Sequence, residues 1–105
     1  MEKIEVNEYI RTKDGEIDKV TLADNECGLY EGTKTTGYLD YEINEIKAHS
    51  FNIIDLIEEG DYVNGDKVVK KEKHWLETSY NVIREDHIKS IVTKQQFQAM
   101  EYEVK

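Results

Sequence analysis

Hydrophobic and polar positions alternate over short segments that are separated by Gly, Asn and Asp, a pattern typical of short β-strands. The alternation over residues 4–11 predicts a first strand. The Asp14-Gly15 pair supplies the positive-φ positions of a tight turn, and the alternation resumes over residues 16–22. The chain therefore opens with a predicted β-hairpin.

One phrase of this hairpin occurs twice along the chain. The first copy consists of Glu8-Tyr9-Ile10, a Gly-containing turn and Asp18-Lys19-Val20. The second copy is shorter and consists of Asp61-Tyr62-Val63, the turn Asn64-Gly65 and Asp66-Lys67-Val68. In each copy an acidic residue precedes Tyr and a β-branched residue, and a strand with Lys-Val comes after the turn. This repetition predicts two related β units.

The second half carries the remaining predicted elements. The apolar segment 50–57 predicts a buried connector, and the Lys70–Lys73 segment predicts a solvated strand edge. Residues 87–92 predict a closing strand. Thr93 and Gln96 have the spacing of a capping box, which predicts a helix over 93–100, and residues 102–104 are expected to add a last strand.

These elements predict a mainly β fold with a short C-terminal helix. We expect two tandem SH3-like half-barrel units, residues 1–50 and 51–105, packed as one compact domain, since about 50 residues alone bury little surface. Neither a signal peptide nor an apolar run of membrane-spanning length is apparent. A single cysteine, Cys27, fits a reducing compartment, so the expected location is cytoplasmic.

Acidic residues dominate the charge of the chain, with 23 Asp and Glu against 14 Lys and Arg and a net charge of −9. Nucleic-acid binders usually carry a basic footprint, so direct DNA binding is not expected. The acidic cluster at 55–61 has two interpretations, a solvated loop or a contact surface for a basic partner. The predicted partner-binding residues are Asp55, Glu58, Glu59 and Asp61, with Asp14, Glu16 and Asp18 behind them.

The sequence contains no constellation that is typical of an enzyme or a metal protein. His49, His74 and His87 are widely spaced, and one cysteine is too few for a zinc ribbon. The six glycines do not form a phosphate-binding motif. We therefore expect no cofactor, no metal and no catalytic residues.

Residues 52–69 and 88–102, together with the opening Tyr9-Ile10-Arg11-Thr12-Lys13-Asp14-Gly15, resemble a group of small uncharacterised proteins from phages and prophages of low-GC Gram-positive bacteria. The resemblance is poor over residues 27–38 and 70–81. It implies a mobile-element protein that works in the cytoplasm of a bacterial host. Small, acidic proteins of this type include anti-CRISPR proteins, a likeness of type and not of sequence motif.

The resulting expectation is a non-enzymatic inhibitor that occupies the basic surface of a bacterial nucleic-acid-binding defence protein, with a CRISPR effector as a candidate partner. The alternative is an SH3-like phage accessory module. It would bind a replication or transcription protein, or an RNA, through Lys67, Lys70, Lys71 and Lys73. The sequence does not indicate an oligomeric state.

Overall fold

Short antiparallel strands dominate the computed structural model, which describes residues 3–34 and 41–102, with side chains as far as residue 98. The chain divides into two compact units, Met1–Asn52 and Ile53–Lys105. Each unit contains one five-stranded antiparallel sheet. The predicted mainly β fold with two related sheets and a short C-terminal helix is confirmed.

The first unit is a four-stranded meander whose fifth strand returns to the first. Its elements are β1 (Tyr9–Thr12), β2 (Ile17–Asp24), β3 (Leu29–Gly32), β4 (Tyr41–Glu42), a 3-10 helix (Ile43–Glu45) and β5 (Ile46–Ser50). The sheet order is β4-β3-β2-β1-β5, and Ile10 of β1 lies opposite both Asp18 and His49. This connectivity, with a 3-10 turn before the returning strand, agrees with the SH3-like prediction.

Alternating side chains of these strands form the core of the first unit. The buried apolar residues are Ile4, Ile10, Val20, Tyr30 and Tyr41. Tyr30 keeps its hydroxyl satisfied by donating to Oδ1 of Asn25 at 2.8 Å. Ile4 lies in the segment before β1, and because its side chain is buried, this segment closes one side of the core.

The second unit repeats the first unit's order of strands and 3-10 helix, with a further 3-10 helix at its start and an α-helix at its end. Its elements are a 3-10 helix (Ile53–Leu56), β6 (Tyr62–Val63), β7 (Asp66–Lys71), β8 (Trp75–Thr78), β9 (Val82–Arg84), a 3-10 helix (Glu85–His87), β10 (Ile91–Val92) and α1 (Lys94–Tyr102). The sheet order is β10-β6-β7-β8-β9. Its core contains Ile54, Ile57, Val63, Val68, Leu76 and Ile83.

The two hairpins differ in their turns but share an irregularity in their second strands. Asn64 and Gly65 have φ of 53° and 88°, as a two-residue hairpin turn requires. In both units the strand after the turn shifts register directly after its buried valine, Val20 or Val68. The repeated phrase of the sequence therefore corresponds to a repeated structure.

Helix α1 begins at the predicted capping box. The backbone N–H of Gln96 donates to Oγ1 of Thr93 at 3.3 Å, and the N–H of Thr93 donates to Oε1 of Gln96 at 3.0 Å. Phe97 then stacks on Tyr62, with ring centroids 4.5 Å apart. The helix runs to Tyr102, so the expected strand over 102–104 is wrong at Tyr102, and residues 103–104 lie outside the described residues.

Replacing the capping hydroxyl should weaken this helix measurably. We expect Thr93→Ala to lower the free energy of unfolding by about 1 kcal/mol, because the N–H of Gln96 loses its acceptor. Urea denaturation followed by Trp75 fluorescence measures the change. The control is Gln98→Ala, at an exposed position of the same helix, which should change the free energy by less than about 0.5 kcal/mol. Equal losses in the two variants would show that the cap does not stabilise the unit.

Three further predictions of strand position are wrong, and one of them is the closing strand over 87–92, because His87 belongs to a 3-10 helix and β10 covers only Ile91–Val92. The first strand begins at Tyr9 and not at Ile4, because Glu5–Glu8 form a turn in which Asn7 has a φ of 80°. The segment from Lys70 is not a sheet edge, because β7 lies between β6 and β8, and Lys70 pairs with Glu77. Lys70 and Lys71 are exposed although the strand is central.

Candidate acidic interface

Two acidic side chains, Glu8 and Asp61, occupy equivalent places before the first strand of each unit, and we call them the pre-strand acids. Each accepts a hydrogen bond from the backbone N–H three residues earlier, Glu5 or Glu58, at 2.7 Å. Their own N–H groups donate back to the carbonyls of the same residues at 3.1 Å. The residue in between, Asn7 or Gly60, has a positive φ of 80° or 97°. Each pre-strand acid therefore closes a tight turn.

The second carboxylate oxygen of each pre-strand acid reaches the returning segment of its unit. Oδ1 of Asp61 accepts the backbone N–H of Lys94 at 2.9 Å. Oε1 of Glu8 lies 2.7 Å from Nδ1 of His49 in β5. Each acid thus connects the start of its unit to the end, by a charge-assisted hydrogen bond.

The expectation that Asp61 belongs to an exposed loop is wrong. Its residue surface is 0% exposed, because both oxygens turn inward to backbone donors that burial would otherwise leave unsatisfied. Asp61 therefore stabilises the fold and cannot contact a partner in this conformation.

Asp18 requires the same correction. It is 4% exposed, and its carboxylate accepts bonds from the N–H and hydroxyl of Thr33, the N–H of Lys34 at 3.1 Å and the hydroxyl of Tyr41 at 2.8 Å. A Cβ at Gly32 would lie 2.2 Å from Oδ2 of Asp18, so only glycine fits there. Asp18 holds the segment after β3 against the sheet.

The hydrogen bonds also determine how Asp18 and Tyr41 titrate. Burial acts to raise the pKa of Asp18, but the bonds from Thr33, Tyr41 and the backbone outweigh it, and the net pKa lies below the ordinary value. Burial first, then the bond to Asp18 and the nearby charge of Glu16, raise the pKa of the Tyr41 hydroxyl. The pair is therefore a carboxylate and a neutral phenol at neutral pH.

The other acids of the 55–61 cluster are partly offset by lysines. Glu58 pairs with Nζ of Lys94 at 2.8 Å, and the same ammonium donates to the carbonyl of Glu59 at 3.2 Å. Nζ of Lys71 donates to the carbonyl of Asp55 at 3.2 Å. Asp55 and Glu59 are exposed and Glu58 is half-buried. This cluster therefore presents less negative charge than its sequence suggests.

A second group of acids lies where the β1–β2 turn meets the 3-10 helix of the first unit, and we call it the unit 1 acidic patch. Its members are Asp14, Glu16, Glu42 and Glu45. The β1–β2 turn meets the 3-10 helix here, because the N–H of Lys13 donates to the carbonyl of Glu45 at 2.9 Å. Oε1 of Glu45 accepts the N–H of Glu42 at 3.2 Å. Asp14, Glu42 and Glu45 are exposed, and Glu16 is half-buried.

Sequence reasoning placed only Asp14 and Glu16 of this patch among the partner-binding residues. Glu42 and Glu45 join them through the fold, because the returning chain brings the 3-10 helix against a turn that lies about 30 residues earlier. The three-residue spacing of Glu42 and Glu45 is the signal that was available. Among the predicted site residues, Asp14, Glu16, Asp55, Glu58 and Glu59 stay predictions as partner contacts.

In the second unit the first hairpin turn also meets a 3-10 helix, but different residues make the contact. Asn64 of its first turn donates to the carbonyl of His87 at 2.8 Å and accepts the N–H groups of Lys89 and Ser90. Glu85 and Asp86 of the adjoining 3-10 helix are exposed. Acidic residues therefore lie beside the first hairpin turn of both units.

The described residues give little support to a reactive thiol or to a metal site. Asp24 accepts the N–H of Cys27, and its bond to the exposed thiol and its charge raise the pKa of that thiol, which opposes thiolate formation. Within residues 3–34 and 41–102, His, Cys, Asp and Glu do not gather into a group of three that could hold a metal ion.

No significant match to the chain is found among protein-family models, curated proteins or solved structures. No helix in the described part of the chain has the length and apolar character needed to cross a membrane.

Proposed function

We propose that this chain is a non-enzymatic protein of a phage or another mobile element, which binds and inhibits a bacterial defence protein in the host cytoplasm. It would do so by occupying a basic surface that normally holds nucleic acid, and a CRISPR effector is the first partner to test. The unit 1 acidic patch is the observation that carries the proposal. Asp55 and Glu59 are further exposed acids, and they belong to the second unit.

The electrostatics of the patch favour a basic partner. Its four acids lie on one turn, directly before β2, and on or directly before one 3-10 helix, and the ammonium of Lys34 donates to the carbonyl of Ile17 beside Glu16 at 2.8 Å. A net charge of −9 adds a long-range attraction to any basic channel and raises the rate of encounter. Nucleic acid presents the same features, closely spaced negative charges on a rigid support, so the two compete for one surface.

A competition experiment tests this proposal directly. A purified CRISPR effector with its guide RNA is mixed with a fluorescent DNA duplex, and increasing amounts of the protein are added. We expect the protein to displace the duplex at about 100 mM salt and to lose most of its affinity at about 500 mM, since screening shortens the range of the attraction.

Matched variants locate the contact surface. Asp14→Asn with Glu45→Gln should weaken the competition about tenfold, because two exposed charges of the patch are removed while the acceptor of Glu45 remains. The control is Glu5→Gln with Glu26→Gln, which makes the same change in net charge at exposed positions. Both lie near Asn25, beyond the other end of β2. Equal losses of competition in the two double variants would mean that only the net charge matters and not the position of the patch. Competition that is insensitive to salt would contradict the proposal.

A second candidate function rests on the lysines of the second unit. Lys67, Lys70, Lys71 and Lys73 are all exposed, on β7 and the turn that comes after it. They fit an accessory module that binds an RNA or a replication or transcription protein. Fluorescence anisotropy with a labelled single-stranded RNA distinguishes the candidates. Binding that is lost on changing Lys67 and Lys73 to Gln favours this module, whereas unchanged anisotropy favours the inhibitor.

A further inference from the structure

Strand β9 (Val82–Arg84) is the outer strand of the second sheet, and none of the described strands pairs with its outer side. Every residue from Ser79 to His87 is exposed except Ile83, whose side chain enters the core. Val82 is 63% exposed and Tyr80 is 83% exposed. Together with Val69 they line one shallow depression beside the β8–β9 turn. Apolar side chains are therefore displayed at a free sheet edge.

The hydrogen-bond pattern tells which backbone groups face outward from this edge. The N–H of Thr78 donates to the carbonyl of Asn81 at 2.8 Å, so Thr78 and Asn81 are a hydrogen-bonded pair. Bonded and non-bonded pairs alternate along an antiparallel ladder, and Val82 lies opposite Glu77 in the next pair. The peptide groups of Val82 and Arg84 therefore point away from β8.

Proteins usually protect such an edge with proline, lysine or a bulge. The chain has no proline, and β9 reads Val-Ile-Arg without a register irregularity in its pairing. Among the edge strands in the described ranges, β9 alone carries a large apolar side chain that is more than half exposed. An edge with these properties favours pairing with another strand.

The side chains of β9 are complementary to a second copy of the same strand. In an antiparallel pair with its twofold axis at Val82, each Val82 contacts its equivalent, and Arg84 of one copy lies beside Tyr80 of the other. Val82 and Arg84 share the outer face, because Ile83 between them points inward. An Arg beside a Tyr ring adds a cation–π contact. Glu85 lies in the 3-10 helix after β9 and Ser79 in the turn before it, and β9 itself contains no acid.

We propose that the protein forms a homodimer by antiparallel pairing of β9 with β9 of a second copy, which joins two sheets into one. The pairing is short, and the interface is accordingly in the small class that gives weak association. Each copy carries a charge of −9, so the dimer is favoured by salt. This salt dependence is opposite in sign to that of the proposed partner binding.

Disulfide trapping tests the register of the pair. In a Cys27→Ser background, Val82→Cys should form a covalent dimer under mild oxidation, because residues opposite each other in a bonded pair have Cα atoms about 5.5 Å apart. Ser79→Cys is the matched control, equally exposed but three residues from the axis. Its copies would lie about 20 Å apart, too far for a disulfide. Equal trapping of the two cysteines, or trapping of neither, overturns the proposal.

Sedimentation velocity gives an independent measurement on the chain without added cysteines. At several hundred micromolar protein, the apparent mass should rise from 12.3 kDa toward twice that value, and more so at higher salt. Val82→Lys should return the protein to a monomer at every concentration, since lysine at an edge opposes pairing. A wild-type chain that stays monomeric throughout contradicts the dimer, whatever other protein the edge binds.

Discussion

Asp61→Ala is expected to destabilise the second unit by about 3 kcal/mol, a large part of the stability of a small domain. The carboxylate accepts the backbone N–H groups of Glu58 at 2.7 Å and Lys94 at 2.9 Å, and both bonds are charge-assisted. Alanine leaves these two donors without their acceptor at a site that is 0% exposed. The turn before β6 and the start of α1 should loosen together.

Urea denaturation followed by the fluorescence of Trp75, the single tryptophan, reports directly on this unit. The control is Glu59→Ala, which removes an exposed carboxylate of the same cluster and should change the free energy of unfolding by less than about 0.5 kcal/mol. Hydrogen exchange at the N–H of Lys94 adds a local readout. Similar transitions for the two variants would show that Asp61 does not join the turn to the helix.

The architecture was predictable from the sequence because its signals are local. The repeated acidic-Tyr-β-branched phrase, the Asn64-Gly65 turn and the Thr93–Gln96 spacing each specify a conformation within a few residues. At the first hairpin turn the prediction holds for Gly15, which has a φ of 92°, and is wrong for Asp14, whose φ is not positive. In each of the confirmed cases the local backbone conformation favours a particular residue type, and that residue type occurs at the position.

The burial of the acids was not predictable in this way. An Asp next to Gly in a charged segment is usually exposed, and the donors that draw Asp61 inward belong partly to Lys94, 33 residues away. The partners of Asp18 lie on a later loop and on β4, 15 to 23 residues along the chain. The available signal was the repetition itself, because Glu8 and Asp61 keep an acid at equivalent places where a purely solvated residue would be free to vary between the copies.

The candidate interface was predicted in part for a related reason. Asp14 was recognised because acids in a turn are commonly exposed, and its side chain is exposed in the structure. Glu42 and Glu45 were missed because only the return of the chain to β1 places them beside that turn. Surface charge is thus a property of the fold, and only its total can be read from the sequence.

The largest effect is expected at Asp18, whose replacement by alanine should cost about 4 kcal/mol. The change removes the acceptor of three backbone N–H groups, of Lys19, Thr33 and Lys34, and of two hydroxyls, of Thr33 and Tyr41. Urea denaturation followed by far-UV circular dichroism measures it, with Asp14→Ala at an exposed position as the control. Tyr41→Phe removes one of the bonds and should cost about 1 to 2 kcal/mol, which keeps the test decisive if Asp18→Ala does not fold.

The pH dependence of Asp18 tests the same network without relying on a severe variant. Its pKa is lower in the folded protein than the ordinary value of 3.8, so the ionised carboxylate stabilises the fold fully above that value. This stabilisation is lost as the pH falls below 3.8 and through the lower pKa of the folded state, where the carboxyl takes up a proton. The difference in unfolding free energy between wild type and Asp18→Asn should therefore be constant from pH 7 to about pH 5 and should shrink toward pH 3. A difference that stays constant over the whole range would mean that the bonds from Thr33 and Tyr41 do not favour the charged form, and Asp18 would then act by its shape alone.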